Sequence, residues 1–177
     1  MEKRIIKRKN LRIPKYNYSS EGLYFITICT KNRRCILSQI NYDSQNEMVN
    51  LDLLNFGKIV EKYIKNINNT YDNIIIDNYV IMPNHIHFIC LISSNNRDKN
   101  SNPSNHTIPL LISTFKRLTN KECNVKMWQR NYYEHIIRNE KEYIEIINYI
   151  YENPQKWNND IYFDTGSSRT PTPTIHN

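Results

Sequence analysis

The sequence lacks the features that would place it in several large classes of protein. Its apolar runs are far shorter than the roughly 20 residues a bilayer-spanning helix needs, so a membrane protein is not expected. Four cysteines, Cys29, Cys35, Cys90 and Cys123, form no CxxC pair and follow no regular spacing, which excludes a disulfide framework and a zinc knuckle. They read as reduced thiols, buried as small hydrophobes. Only three glycines occur, Gly22, Gly57 and Gly166, so asparagine must supply many of the left-handed turn positions. No apolar stretch of secretory length follows the basic start, so no signal peptide is expected and the protein is expected in the cytoplasm. No internal repeat is visible.

What is present is the composition of one globular domain: 177 residues, 39% hydrophobic and 23% charged, enough to bury a real core. The net charge of +7 is unevenly spread. Residues 1–16 carry Lys3, Arg4, Lys7, Arg8, Lys9, Arg12 and Lys15 against Glu2 alone, a local balance of +6. With only Ile5, Ile6, Leu11 and Ile13 as apolar anchors this arm cannot fold alone, so it docks on the domain, binds a polyanion or serves as a solubilising tail.

From Leu23 to Thr30 the chain is β-branched and aromatic with period-two alternation, which predicts a central strand. Leu53, Phe56, Val60, Tyr63 and Ile67 recur at helical spacing. Extended segments follow at Ile74–Ile76, Tyr79–Ile81 and Ile86–Ile92, the last after the turn signal Pro83-Asn84. Residues 93–106 have the composition of a solvated loop, and Thr107 to Cys123 returns to a helical pattern in which Pro109 fits the first turn. Met127 to Ile137 reads as a strand, and a last amphipathic helix opens at Asn139-Glu140 and must stop near Pro154. The order β-α-β-β-α-β-α predicts an α+β fold, an antiparallel sheet with helices on one or both faces. The expected organisation is a basic arm over 1–16, a domain over 17–163 and a Ser/Thr/Pro-rich tail over 164–177.

The chemistry-bearing segment is Met82-Pro83-Asn84-His85-Ile86-His87-Phe88-Ile89. In a strand, residues i and i+2 share a face, so His85 and His87 present two imidazoles side by side while Ile86 faces the core. That is a metal-binding geometry, although spacing alone does not separate it from a pair of surface or hydrogen-bonded histidines. At the end of the last helix Tyr149 and Asn153 are four apart and share one face, a phenol one turn from an amide. A core tyrosine followed by a helix-terminal asparagine before Pro154 has the same spacing. Tyr151 points about 200° around the helix from Tyr149, and Tyr143 lies roughly two turns earlier.

MPNHIHFI, LYFITICTKNR, WQRNYYEHIIRNE and NYIYENP together resemble the single-tyrosine transposases of the HUH class, in particular the REP-associated tyrosine transposases of the IS200-like family. The similarity runs from about Asn17 to Trp157 and keeps the order and approximate spacing of all four strings. The resemblance implies a ferredoxin-like sandwich with the histidine pair on a central strand. It places the metal ligands at His85, His87 and Asn153 and the nucleophile at Tyr149. It implies Mg²⁺ or Mn²⁺ as cofactor, a covalent 5′-phosphotyrosine intermediate and a single-stranded or hairpin DNA substrate, with a homodimer as one assembly to consider. Two imidazoles and an amide contribute no charge, so a divalent cation held by them keeps its Lewis acidity for phosphate oxygens.

Lys116, Arg117, Arg130 and Arg138, with Lys3, Arg4, Lys7, Arg8 and Arg12 of the arm, are candidates for tracking phosphates. Trp128, Tyr132 and Tyr133 are candidates for stacking on bases. His135 reads as a group that orients a metal ligand or as a hydrogen-bonded structural histidine. Two other readings stay open: a hairpin-binding protein or repressor on the same fold that does not cut, and a metal-dependent phosphodiesterase using water instead of Tyr149.

If the arm contacts phosphates, each one neutralised adds roughly 0.7 to 0.9 to the slope of log affinity against log salt. Deleting residues 2–15 is expected to flatten that slope for hairpin DNA, measured at three salt concentrations. An unchanged slope would leave the arm a solubilising tail.

Overall fold

A computed structural model of the protein describes residues 21–43, 48–93 and 107–157. The basic arm, the C-terminal tail and all but the first residue of the 93–106 loop lie outside the described residues. The elements are β1 Gly22–Cys29, β2 Ser38–Asp43, β3 Met48–Leu53, α1 Asn55–Thr70, β4 Ile74–Ile81, β5 His85–Ile92, α2 Thr107–Glu122, β6 Tyr133–Ile137 and α3 Glu140–Glu152. A short 3₁₀ turn, Lys31–Arg33, follows β1.

The main sheet has the order β4-β5-β1-β6, with every neighbouring pair antiparallel. Without the separate β2–β3 ribbon the chain runs β1-α1-β4-β5-α2-β6, the ferredoxin-like succession, with α3 added. The alternation of β1 and β5 divides the sheet into two faces. Tyr24, Ile26, Ile28, Ile86, Phe88 and Cys90 pack with Val60 and Ile64 of α1 and with Ile108, Ile112 and Phe115 of α2. Phe25 and Ile89 face the other way and pack with Ile137 of β6 and with Ile146 and Ile150 of α3. Both central strands are covered on both sides, which is why they read as nearly continuous apolar runs.

Three features differ from the sequence expectation. The β2–β3 hairpin was not expected, because Ser38-Gln39-Ile40-Asn41-Tyr42-Asp43 alternates weakly and its Tyr42 is exposed. Ile74–Ile81 is one strand rather than two pieces, its register with β5 shifting between Ile76 and Tyr79. The late strand is confined to Tyr133–Ile137; upstream, only a single bridge joins Trp128 to Thr30. The expectation for asparagine holds at two positions, Asn32 (φ 57°) and Asn124 (φ 51°), the other non-glycine residue with positive φ among those described being Arg33.

The last helix begins where its cap predicts: the Asn139 side chain accepts the Glu142 N–H, and Glu142 accepts the Arg138 N–H. His135 is tied into this cap, its Nε2 2.6 Å from Glu142 Oε1, and is therefore a structural histidine.

Gly57 lets α1 approach the segment after β1. A Cβ there would stand 2.0 Å from the Leu37 carbonyl oxygen, which already accepts the Leu54 N–H. Alanine's helix propensity favours Gly57→Ala by about 1 kcal/mol, but the obstacle is backbone and overpacking of this kind costs roughly 1 to 3 kcal/mol or more. Gly57→Ala is expected to lower the denaturant midpoint; an unchanged or raised midpoint would mean that α1 moves away freely.

Candidate active site

Two antiparallel partners hold the histidines. Cys29 of β1 lies opposite His85 and Thr27 opposite His87, so both imidazoles stand on the face covered by α3. Both side chains are fully buried. Their ring centroids are 4.5 Å apart, and the His87 ring stacks on Phe25 at 5.2 Å.

The turn that precedes them has a task for each residue. Pro83 and Asn84 form the two-residue loop of the β4–β5 hairpin, closed by the Met82 N–H donating to the His85 carbonyl at 2.9 Å. The Pro83 carbonyl accepts the N–H groups of Ile36 and Leu37, and the Asn84 carbonyl accepts both the N–H and the hydroxyl of Thr30. The Asn84 side-chain oxygen lies 2.8 Å from His85 Nδ1. An amide oxygen accepts only, so Nδ1 carries the proton and Nε2 of His85 holds the lone pair. For His87, Nδ1 is 2.8 Å from Thr27 Oγ1 and Nε2 is 3.3 Å from the Tyr149 hydroxyl. With the phenol donating to Nε2, Nδ1–H donates to Thr27 and the two histidines share one tautomer.

Burial, followed by His87 and the Arg33 guanidinium, holds the His85 pKa well below the usual imidazole range. Burial and Arg33 push His87 down to about 3. Both rings are neutral at physiological pH, the state in which imidazole ligates a metal.

Tyr149 is half-buried on α3, its ring edge-on to Phe25 at 6.0 Å and 5.2 Å from the His87 ring. Asn153 ends the helix one turn later; its side chain is buried, and its Oδ1 accepts no hydrogen bond among the described residues. Trp157 follows and lies 6.1 Å from the His85 ring. The stretch Tyr149 to Trp157 therefore runs alongside the histidine pair, touching it at both ends. Two Nε2 lone pairs and a buried amide oxygen are a donor set that fits a divalent cation. No group of three or more His, Cys, Asp or Glu side chains suited to a metal occurs among the described residues.

The remaining candidates are dispersed. Lys116 is engaged within the fold: burial lowers its pKa to about 8, and Nζ donates to the carbonyls of Gln129, Arg130 and Asn131 at 3.0, 3.3 and 3.1 Å. A phosphate there would compete with three carbonyls. Arg117, Arg130 and Arg138 are exposed, Arg117 on the helix layer across the sheet from the histidines. Lys3, Arg4, Lys7, Arg8 and Arg12 lie outside the described residues. Trp128 is a core residue whose indole N–H donates to Thr119, Tyr132 sits against the Lys116 ammonium, and Tyr133 packs edge-on to Phe25. Sequence reasoning missed the roles of Thr27 and Asn84, which meet the histidines across a strand pair and a turn. The turn signal at Asn84 and the strand partner at Thr27 were legible, but their contacts to the imidazoles were not.

Proteins similar in sequence and in fold bear on what class this arrangement belongs to. An uncharacterized Haemophilus influenzae protein is 38% identical over 175 aligned positions, spanning 89% of this chain and 94% of its own. A REP-associated tyrosine transposase of Escherichia coli is 27% identical over 140 positions, 78% of this chain and 70% of its own. In fold, the chain is similar to a REP-associated tyrosine transposase whose structure is bound to a REP hairpin, with a TM-score of 0.56 and 24% identity over 82% of this chain and 73% of that one. No model of a known protein family matches the sequence. Over most of its length the chain is similar to REP-associated tyrosine transposases, and the named relatives support an IS200-like tyrosine transposase of the HUH class.

The neutral histidines set a pH dependence. Both have folded pKa values below the ordinary 6.5, so as pH falls below 6.5, for His87 down to about 3, the unfolded chain binds more protons than the folded one. Their contribution to stability is complete above pH 6.5 and is lost as pH falls, at up to about 1.4 kcal/mol per pH unit for each histidine. In chelator-treated buffer the denaturant midpoint is expected to drop between pH 7 and 4, more steeply than for the His85→Gln, His87→Gln double variant. Equal slopes would mean that the folded protein accepts these protons.

Proposed function

We propose that the chain cleaves and rejoins single-stranded DNA at hairpin-bearing sites, with Tyr149 as the nucleophile and a covalent 5′-phosphotyrosine intermediate. The observation that carries this reading is the 3.3 Å approach of the Tyr149 hydroxyl to His87 Nε2, which brings a phenol to the histidine pair. Similarity to REP-associated tyrosine transposases supports DNA processing, and the neighbour of similar fold bound to a REP hairpin supports a hairpin as the ligand.

In the proposed step the Tyr149 oxygen forms a bond to phosphorus as the bond from phosphorus to the 3′-oxygen breaks. The phenol proton is lost to water and the departing 3′-oxygen takes one up, so no net proton is consumed. Bond energy is conserved in the phosphotyrosine, and a DNA 3′-hydroxyl can reverse the step. His85, His87 and Asn153 would hold Mg²⁺ or Mn²⁺, which when bound supplies charge neutralisation at a non-bridging phosphate oxygen. Phe25 and Thr27 fix the His87 ring, and Asn84 fixes His85.

The test uses the full chain and a labelled hairpin oligonucleotide with single-stranded flanks, selected from a randomised pool by binding to the wild type. Tyr149→Phe is expected to abolish the covalent adduct on a denaturing gel while binding the hairpin nearly as well. Replacing His85 or His87 by Ala is expected to stop cleavage and to weaken Mn²⁺ binding by about tenfold or more, with a smaller effect for Asn153→Ala. Adduct formation by Tyr149→Phe at the wild-type rate would show that another residue is the nucleophile.

A further inference from the structure

Both ring nitrogens of His87 are engaged. Nδ1 lies 2.8 Å from Thr27 Oγ1 on the neighbouring strand, and Nε2 lies 3.3 Å from the Tyr149 hydroxyl on α3. Because the side chain is fully buried with Nδ1 turned to Thr27, Nε2 is the nitrogen at which this histidine can ligate a cation. An imidazole nitrogen has one in-plane position for a hydrogen bond, a proton or a metal. In either tautomer the hydrogen between the phenol and Nε2 fills that position. The contact that brings Tyr149 to the histidines therefore occupies the donor that a metal would use.

The two members of this contact are not held equally. His87 lies within the sheet, opposite Thr27 on one side and Val80 on the other, and its ring stacks on Phe25 at 5.2 Å. Tyr149 is half-buried on a covering helix and meets Phe25 only edge-on, at 6.0 Å. The phenol is the member that yields. We propose that the Tyr149–His87 contact is a latch: without a cation His87 Nε2 holds the Tyr149 hydroxyl, a divalent cation and the phenol exclude one another at that nitrogen, and loading of the cation releases the hydroxyl. This rests on the reading of His87 as a ligand and Tyr149 as the nucleophile given above, and adds an order of events to it. Tyr149 is kept from a DNA phosphate until the cation that neutralises the phosphate is in place.

The experiment measures Mn²⁺ binding to the full chain without DNA, by electron paramagnetic resonance of the free ion, for wild type, Tyr149→Phe and Tyr151→Phe. Tyr149→Phe is expected to bind Mn²⁺ about three- to tenfold more tightly than wild type, the worth of one ordinary hydrogen bond. Tyr151→Phe, altered at an exposed position of the same helix, is expected to bind as wild type does. Should Tyr149→Phe not fold, Tyr149→Leu, which also lacks the hydroxyl, is expected to show the same gain. In ultraviolet difference spectra, Mg²⁺ is expected to give wild type and Tyr151→Phe a tyrosine signal that Tyr149→Phe lacks, because the phenol that changes partners reports the ion. Wild-type affinity in Tyr149→Phe, weaker binding as for a phenol that ligates the ion, or absence of the Tyr149 signal would each overturn the proposal. Undiminished Mn²⁺ binding by the His85→Ala, His87→Ala double variant would instead overturn the metal assignment, and this proposal with it. No DNA is present in these measurements, so a failure to form the covalent adduct is read separately and tells against the strand-cleavage reading alone.

Discussion

The register between β1 and β5 is the constraint on which the rest of the site depends. Side chains alternate across a sheet, so a slip of one residue would send both histidines to the α1–α2 core and bring Ile86 and Phe88 to α3. Two things prevent it. Tyr24, Ile26 and Ile28 on β1 and Ile86, Phe88 and Cys90 on β5 are all buried in the same cluster, and a slip would exchange them for Thr27, His85 and His87. The two-residue Pro83-Asn84 loop independently fixes β5 against β4. Once the register is set, Thr27 stands opposite His87 and Asn84 beside His85, and the tautomers follow from those partners.

Helix α3 meets this face through residues that both pack and perform the proposed chemistry. Ile146 and Ile150 seat it on Phe25 and Ile89, while Tyr143 donates to Asp77 of β4 at 2.6 Å. Tyr149 and Asn153 lie on the packed side of the helix, and Tyr151, exposed, does not. The position of the phenol is therefore fixed largely by packing of α3, so Tyr149 can lose its hydroxyl without losing its place.

Much of this was legible in the sequence where the signal is local. The alternation of Leu23 to Thr30, the HxH spacing and the four-residue step from Tyr149 to Asn153 are consequences of strand and helix periods, and the structure keeps them. What could not be read is set by distant partners. The β2–β3 ribbon has too little apolar alternation to announce itself. Lys116 looked like a phosphate contact because charge is visible in a sequence, whereas the three carbonyls that engage it come from another segment. The turn Lys31–Arg33 sits in a string, LYFITICTKNR, that carried the resemblance, but its left-handed residues and the carbonyls some fifty residues away that hold the segment around it are not written in local sequence.

The charge of the site links its two ligands. The described residues at the histidine pair contribute neutral donors. On the proposed reading, a divalent cation and a DNA phosphate each meet a site better suited to the pair than to the cation alone, since the phosphate supplies the only negative charge in the set. The coupling must then be reciprocal: whatever factor DNA adds to metal affinity, metal adds to DNA affinity. A carboxylate in place of Asn153 would hold the cation without DNA and weaken that coupling, which gives a physical reason for an amide at this position.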